Sequence, residues 1–321
     1  MNVSLIATVK NEADNIVDLL VSMLRQTLPP DEIVINDNGS TDDTVTLIES
    51  FIRAGYPIRL VHGGHNIPSG RNHAIQHALS PIIASCDAGL TLPPHWLATI
   101  TAPLLNGEAD VVGGFYEPDP RSLWEVALGA ANYPDVAEVD PATFLPAGQS
   151  MAFTKQAWAT VGGYPEWADT CEDLIFDQAL QQHGFRFRFA PAAAVRFRPR
   201  STPQAYVRQY FTYARGDGQA NLWPRRHAIR YATYIGLGLV IWLARCWHRA
   251  VLLLLPPAIA IYLHKPVRRA WLRTQTFTLP DRALVLLLLP VIRLLGDVAK
   301  LLGYPVGLWR RVRWQSEEQY G

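Results

Sequence analysis

The chain has 321 residues, 49% hydrophobic and 18% charged, with a formal net charge of +1. That length suits one large domain, or a domain with an appendage, and a nearly neutral chain carries no electrostatic footprint for a nucleic-acid partner. Cys86, Cys171 and Cys246 are the three cysteines; they form no CxxC pair, which argues against a cysteine-based zinc site or a disulfide framework and suits a reducing compartment.

Val3 to Val9 is an apolar, small-residue run that reads as a buried strand. It begins two residues after Met1, so no signal peptide is expected. A helix is predicted from Asn15, with Ile16, Leu19, Leu20, Met23 and Leu24 on one face, and Pro29-Pro30 ends it. Ile33 to Ile35 is a second strand. It runs into the polar turn Asn36 to Thr44 and a helix through Phe51. Ile58 to Val61 is a third strand. Arg71-Asn72 opens the next helix, and Ile82 to Ser85 is a fourth strand ending at Asp87-Ala88-Gly89. Strands and helices alternating at this spacing predict βαβ units and a parallel sheet. Such sheets bind ligands at the carboxyl ends of their strands, where Glu12, Asp37 and Asp87 all fall. His73 and His77 are four apart on a predicted helix, but Ala74 rules out an HExxH motif, and packing or surface roles are expected for both.

Farther along, Asp110 to Gly114 is a short strand, residues 121–131 are helical, and 132–146 is a loop with three prolines. Gly162-Gly163-Tyr164-Pro165 then leads to Cys171-Glu172-Asp173 and the apolar Leu174-Ile175-Phe176. The two acids sit in the first turn of a predicted helix, where the dipole favours their ionised forms. A carboxylate held there can accept a proton from a hydroxyl, although capping alone would use the same residues. Cys86 and Cys171 adjoin functional acids and are read as small buried residues. Phe185 to Phe189 alternates apolar residues with arginine, as an edge strand does.

The runs SLIATVKNEADNI, DEIVINDNGSTDDT, SGRNHAI, ASCDAG and GGYPEWADTCEDLIFDQAL, in this order, resemble family 2 glycosyltransferases of the GT-A fold over roughly residues 1–220. The resemblance implies an α/β catalytic domain over 1–222 with a Rossmann-like, mostly parallel sheet and flanking helices. It implies Thr8, Val9 and Glu12 around the nucleotide, Asp37 at the base, Arg71 near the donor, Asp87 as the metal ligand of a DxD and Asp173 as catalytic base. Trp167 and Glu172 are placed on the acceptor side. The implied cofactor is a divalent cation, Mg or Mn, but Gly89 stands where the second DxD acid is usual. No histidine follows on the later strand Val195 to Arg198; Arg196 or Arg198 could meet the diphosphate instead. One acid on the metal and one as base imply inversion. A sugar-phosphate nucleotidyltransferase, or an inactive scaffold of the same fold, is the alternative.

The last third changes character. Residues 229–244, 250–263 and 283–302 are strongly apolar, yet the first two are shorter than the ~20 residues a spanning helix needs. The basic link Arg245 to Arg249 disfavours crossing. Two shallow or re-entrant helices are expected, and Arg293, Asp297 and Lys300 predict that the third lies in the membrane interface. Residues 223–321 are accordingly read as a membrane-associated helical region. The expected partners are a nucleotide-sugar donor, a lipid or lipid-linked acceptor and a membrane surface, with no nucleic acid and with the catalytic domain cytosolic.

Overall fold

The computed structural model describes residues 3–320, with side chains through residue 313. The chain divides into two compact units, one of residues 1–117 and 136–197, the other of 118–135 and 198–321.

The first unit is built on a seven-stranded mixed sheet. Strands β1 (Val3–Val9), β2 (Glu32–Asp37), β3 (Ile58–His62) and β4 (Ile82–Ser85) alternate with helices α1 (Ile16–Leu24), α2 (Thr44–Arg53) and α3 (Ile67–His77). Helix α4 (Trp96–Leu105) follows, then β5 (Val111–Pro118). Beyond the first unit's chain break come β6 (Met151–Thr154), α6 (Lys155–Thr160), α7 (Glu172–Gln182) and β7 (Phe187–Phe197), while α5 (Leu123–Asn132) belongs to the second unit. The strand order is β3-β2-β1-β4-β6-β5-β7. β1 pairs in parallel with β2 and β4, and β2 with β3. β6 pairs antiparallel with both β4 and β5. The expected parallel sheet is therefore its first half only. The alternation of β1 supplies both cores: Leu5 and Ala7 pack into one hydrophobic layer and Ile6 into the layer on the opposite face.

Two local expectations shift. α3 opens at Ile67, not at Arg71-Asn72. Asn66 caps it, its side chain accepting the Ser69 N–H at 3.1 Å while Ser69 Oγ accepts the Asn66 N–H; this reciprocal cap and Pro68 in the first turn set the start. The alternating segment at Phe185 and the later strand at Val195 are one strand, β7.

The second unit is helical: α5, α8 (Pro203–Gln219), α9 (Pro224–Cys246), α10 (Leu255–Arg273), preceded by a 3₁₀ turn from Arg249, and α11 (Leu279–Tyr320). α9 has 23 residues and the Arg249–Arg273 stretch 25, and each contains an apolar 18-residue window, with mean hydropathies of 1.2 and 1.6. Both are long and apolar enough to cross a membrane by length and composition. The shortness expected from the apolar runs is corrected, because each helix continues past its apolar stretch through polar ends.

The polar stripe of α11 does not face outward as expected for an interfacial helix. Asp297 is buried and accepts hydrogen bonds from Arg230 Nε at 3.0 Å, Tyr234 Oη at 3.2 Å and Tyr262 Oη. Partners from α9 and α10 turn the stripe inward. α11 also runs unusually close to α8. A Cβ at Gly307 would collide with the Arg215 carbonyl oxygen and lie 2.8 Å from Gln219 N, and one at Gly303 would collide with the Phe211 carbonyl. Backbone cannot yield as a side chain can. Gly307→Leu should force the helices apart and cost at least the ~1–3 kcal/mol typical of overpacking, read as a lower denaturation midpoint; an unchanged midpoint would refute the contact.

Candidate active site

All the expected site residues except Arg198 lie in the sheet-based unit. β1 ends at Val9, which is buried, and β2 ends at Asp37. Asp37 is 3% exposed. Its oxygens accept the backbone N–H groups of Gly39 and Ser40 at 3.1 Å, and His62 Nδ1 stands 3.5 Å away. The carboxylate thus shapes the turn that follows β2. The partly exposed neighbour Asn38 donates to the Asn66 carbonyl at 2.8 Å and accepts from Asn36 Nδ2 at 2.7 Å. Asn36 spends its other N–H on the Gly63 carbonyl, so its own oxygen faces His73 Nδ1 at 2.7 Å. His73 is accordingly a packing residue, its ring against that of His77 with centroids 4.4 Å apart and the planes tilted by 58°. α3 meets this network at Gly70, where a Cβ would lie 2.5 Å from both Thr8 Cγ2 and Asn38 Oδ1. Thr8, Asn36 and Asn38 are thereby gathered at the strand ends. Thr8 Oγ1 is buried without a hydrogen-bond partner. Glu12 stands beside the Asp87 loop, its Oε2 3.9 Å from the Cβ position of Gly89.

The centre of the site is Arg71, 3% exposed on α3. Its Nη1 donates to Glu172 Oε1 at 2.9 Å and to Asp173 Oδ1 at 2.6 Å, and its Nη2 donates to Asp87 Oδ1 at 2.5 Å. One guanidinium therefore joins the end of β4 to the start of α7, and the planar fork makes that geometry possible. Beneath it the Tyr164 ring lies 5.4 Å from Cζ. Asn72 pins the turn carrying that ring: its Nδ2 donates to the Tyr164 carbonyl and to Glu166 Oε1, and its Oδ1 accepts from Tyr164 N and Trp158 Nε1.

Gly148 fits against Arg71 so closely that a Cβ would strike the guanidinium, and its N–H donates to Asp173 Oδ2 at 2.9 Å. Both oxygens of Asp173 are thus fixed. Cys171, at φ 64°, turns the chain into α7; it is half-buried, where a fully buried residue was expected. Glu172 points inward to Arg71 and is buried, whereas Trp167 is 39% exposed. Arg198 does not join the site: it pairs with Glu125 of α5 at 2.8 Å in the helical unit. Arg196 is exposed, paired by backbone across from Thr91. Gly148, Asn72 and Tyr164 escaped the sequence reading. The first acts through its backbone; the dipeptide Arg71-Asn72 and the turn Gly162 to Pro165 contained the other two without giving either a role.

Three carboxylates around one guanidinium are overcharged. Burial first, then the neighbouring Asp173, push Glu172 up to about 7, with Arg71 pulling the other way. Between its ordinary 4.5 and about 7 the folded chain keeps a proton the unfolded chain has released, so Glu172 makes stability fall as pH rises through that window. The contribution is roughly 1–3 kcal/mol. Glu172→Gln should flatten the thermal-stability profile between pH 4.5 and 7; parallel profiles for the two proteins would exclude it.

Among the described residues no three His, Cys, Asp or Glu are grouped to hold a metal ion. The donor set here is one carboxylate, Asp87, with Oδ1 on Arg71 and a side chain 37% exposed. That does not fit a resident all-protein site. It fits a cation that takes most of its ligands from substrate phosphates and water, as Mg does.

The family description "Glycosyl transferase family 2" matches residues 4–132, and "Glycosyl transferase family group 2" matches 135–295. The chain is 32% identical over 111 residues to a validoxylamine A glucosyltransferase of Streptomyces hygroscopicus, covering 32% of this chain but only 24% of that protein. It is 22% identical over 226 residues to the O-antigen chain rhamnosyltransferase RfbN of Salmonella typhimurium, covering 66% of this chain and 71% of the relative. In fold it is similar to the mannosyltransferase PcManGT of Pyrobaculum calidifontis, solved with GDP-Man and Mn2+. The TM-score there is 0.65 at 19% identity, over 94% of this chain and 87% of that one.

Proposed function

The chain belongs to glycosyltransferase family 2, and we propose that it transfers a sugar from a nucleotide-sugar donor to an acceptor hydroxyl, on a lipid or lipid-linked glycan, with inversion. The observation that carries this reading is the single guanidinium of Arg71 holding both Asp87 and Asp173. The acid facing the leaving diphosphate and the acid facing the attacking hydroxyl are then fixed in one frame.

In this reading Thr8, Val9, Glu12 and Asp37 form the nucleotide end, with Asp37 shaping the turn against which the base rests. Arg71 receives the diphosphate by charge-assisted hydrogen bonds. Asp173, oriented by the Gly148 N–H, takes the proton of the acceptor hydroxyl as its oxygen bonds to the anomeric carbon, while the bond to the diphosphate oxygen breaks on the opposite face. Trp167 supplies an exposed ring for the acceptor, and Glu172 holds Arg71 in place. A divalent cation, which the PcManGT complex contains, would be held by Asp87 and would neutralise charge on the leaving diphosphate. Mn2+ alone should therefore bind the protein only in the millimolar range, and adding nucleoside diphosphate should tighten uptake at least about tenfold; tight binding of the metal alone would contradict this. The two long apolar helices support attachment to a membrane, with the catalytic unit on the cytosolic side.

The test is release of nucleoside diphosphate from a panel of sugar nucleotides, with membrane lipid extract as acceptor and the anomeric configuration of the product read by NMR. Turnover of one donor with inversion is expected. Retained configuration would remove the single displacement. Absence of both binding and turnover on every donor would favour an inactive scaffold, for which Gly89 in place of an acid is the supporting feature.

A further inference from the structure

Helix α3 carries two imidazoles that lie against each other one turn apart. The rings of His73 and His77 have centroids 4.4 Å apart, and a spacing of four puts both side chains on one helix face. Each ring is oriented through its Nδ1. Asn36 has given its N–H groups to Asn38 and to the Gly63 carbonyl, so its oxygen faces His73 Nδ1 at 2.7 Å, and that nitrogen carries the proton. His77 Nδ1 donates to the His73 carbonyl at 2.8 Å, which places its proton in the same position. In a neutral imidazole the second nitrogen then keeps its lone pair. Both Nε2 atoms are therefore acceptors, and among the described residues neither has a hydrogen-bond partner. Packing fixes the His73 ring and leaves this nitrogen unused: a Cβ on Gly63 would lie 2.8 Å from its Cε1. Burial first, then His77 and His62, hold His73 below the ordinary imidazole range, so its neutral form persists. His77 is exposed.

We propose that His73 and His77 form a chelating site for a nitrogen-preferring divalent transition ion such as Zn2+. A metal-bound imidazole donates its other ring N–H to an oxygen, which fixes its tautomer and orientation, and both rings have that arrangement. Zn–N bonds of about 2.0–2.1 Å hold two ligand nitrogens roughly 3.4 Å apart, a separation that rings this close can present. Imidazole suits Zn, Ni and Cu, whereas Mg and Ca take oxygen. The site is thus chemically distinct from the Asp87 carboxylate. Water would fill the remaining positions, and Ala74 supplies no carboxylate to activate it. The ion would staple two successive turns of α3, the helix that carries Arg71. This goes beyond the transfer reaction and does not rest on it.

The experiment uses the full chain in detergent, without an affinity tag and stripped of metal. Zn2+ uptake is read by competition with a chromophoric indicator. Wild type should take up one ion per chain in the micromolar range, undisturbed by millimolar Mg2+. H77Q should weaken uptake at least about tenfold, since losing even an outer partner of a metal-bound histidine costs about 10–100-fold. H183Q is the control. His183 is exposed and its Nδ1 also donates to the carbonyl four residues back, at 2.8 Å, but that residue is Ala179 and brings no second imidazole. H183Q should bind as wild type does. Zn2+ should raise the melting temperature of wild type and H183Q and leave that of H77Q unmoved. All three should melt together without metal. Cu2+ on wild type should show two-nitrogen splitting in its electron paramagnetic resonance spectrum, a readout that stands even if H77Q does not fold. Equal Zn2+ affinity of wild type and H77Q, no wild-type uptake below the millimolar range, or single-nitrogen splitting would overturn the proposal.

Discussion

Asp173→Asn is expected to lower sugar transfer by a factor of about 10²–10⁴, the range a positioned general base supplies. The amide oxygen can still accept the Gly148 N–H that holds the native carboxylate at 2.9 Å, so the loop before β6 should stay in place. What is lost is the ability to take up the hydroxyl proton. Donor affinity should change little, and the defect should appear in kcat. Glu172→Gln, whose carboxyl is buried against Arg71 and already favours a proton, should keep most of the rate. Transfer and nucleoside diphosphate release measured side by side decide between the two acids. Asp173→Asn within threefold of wild type would remove it as base.

Arg71→Leu should do more damage to the fold than any other single change in the site. It strips away the guanidinium that, among the described residues, is the one counter-charge within hydrogen-bonding distance of three carboxylates, two of them opening the same helix. Breaking a buried pair by removing one partner costs about 3–5 kcal/mol, and here the one partner serves three acids. The loss should shrink in mild acid, because protonation removes the repulsion that the missing guanidinium no longer offsets. Urea denaturation at pH 7.5 and 5.5 tests this. A wild-type-like midpoint at pH 7.5, or a deficit that grows on acidification, would contradict the arrangement. Arg71→Lys should recover part of the stability and little of the activity, since one ammonium cannot reproduce the fork that reaches Asp87 and Asp173 together.

The half of the sheet from β1 to β4 was legible because each strand is an apolar run followed by an amphipathic helix, and the acids at the strand ends stood out. Of the other half, β5 was read as a short strand and β7 as an edge strand, which is where it lies, but β6 between them was missed. β6 has only four residues and lies between strands far from it in sequence, so no local period announces it. The Glu172-Asp173 helix was found from its turn and its apolar run. The bond from Gly148 was invisible because a backbone N–H has no letter in the sequence. Arg293, Asp297 and Lys300 were seen as a stripe but assigned the wrong surroundings. Periodicity says that charges share a face, and not whether tyrosines and an arginine from other helices will meet them. Arg198 misled for a similar reason: its partner, Glu125, is fully buried 73 residues away.

The position of β6 also bears on how the chain reaches this state. Met151–Thr154 must enter between β4 and β5, with Ile82 facing Thr154 and Val111 facing Phe153. Until it does, β4 and β5 each present a row of unpaired backbone groups, the kind of edge on which chains aggregate. Such non-local pairing is also slow, because loops must close before contacts reward them. During synthesis the emerging chain passes through a stage with two open edges that only this short strand can seal. Chaperone dependence and failed refolding should therefore trace to four residues of strand more than to the greasy helices that follow.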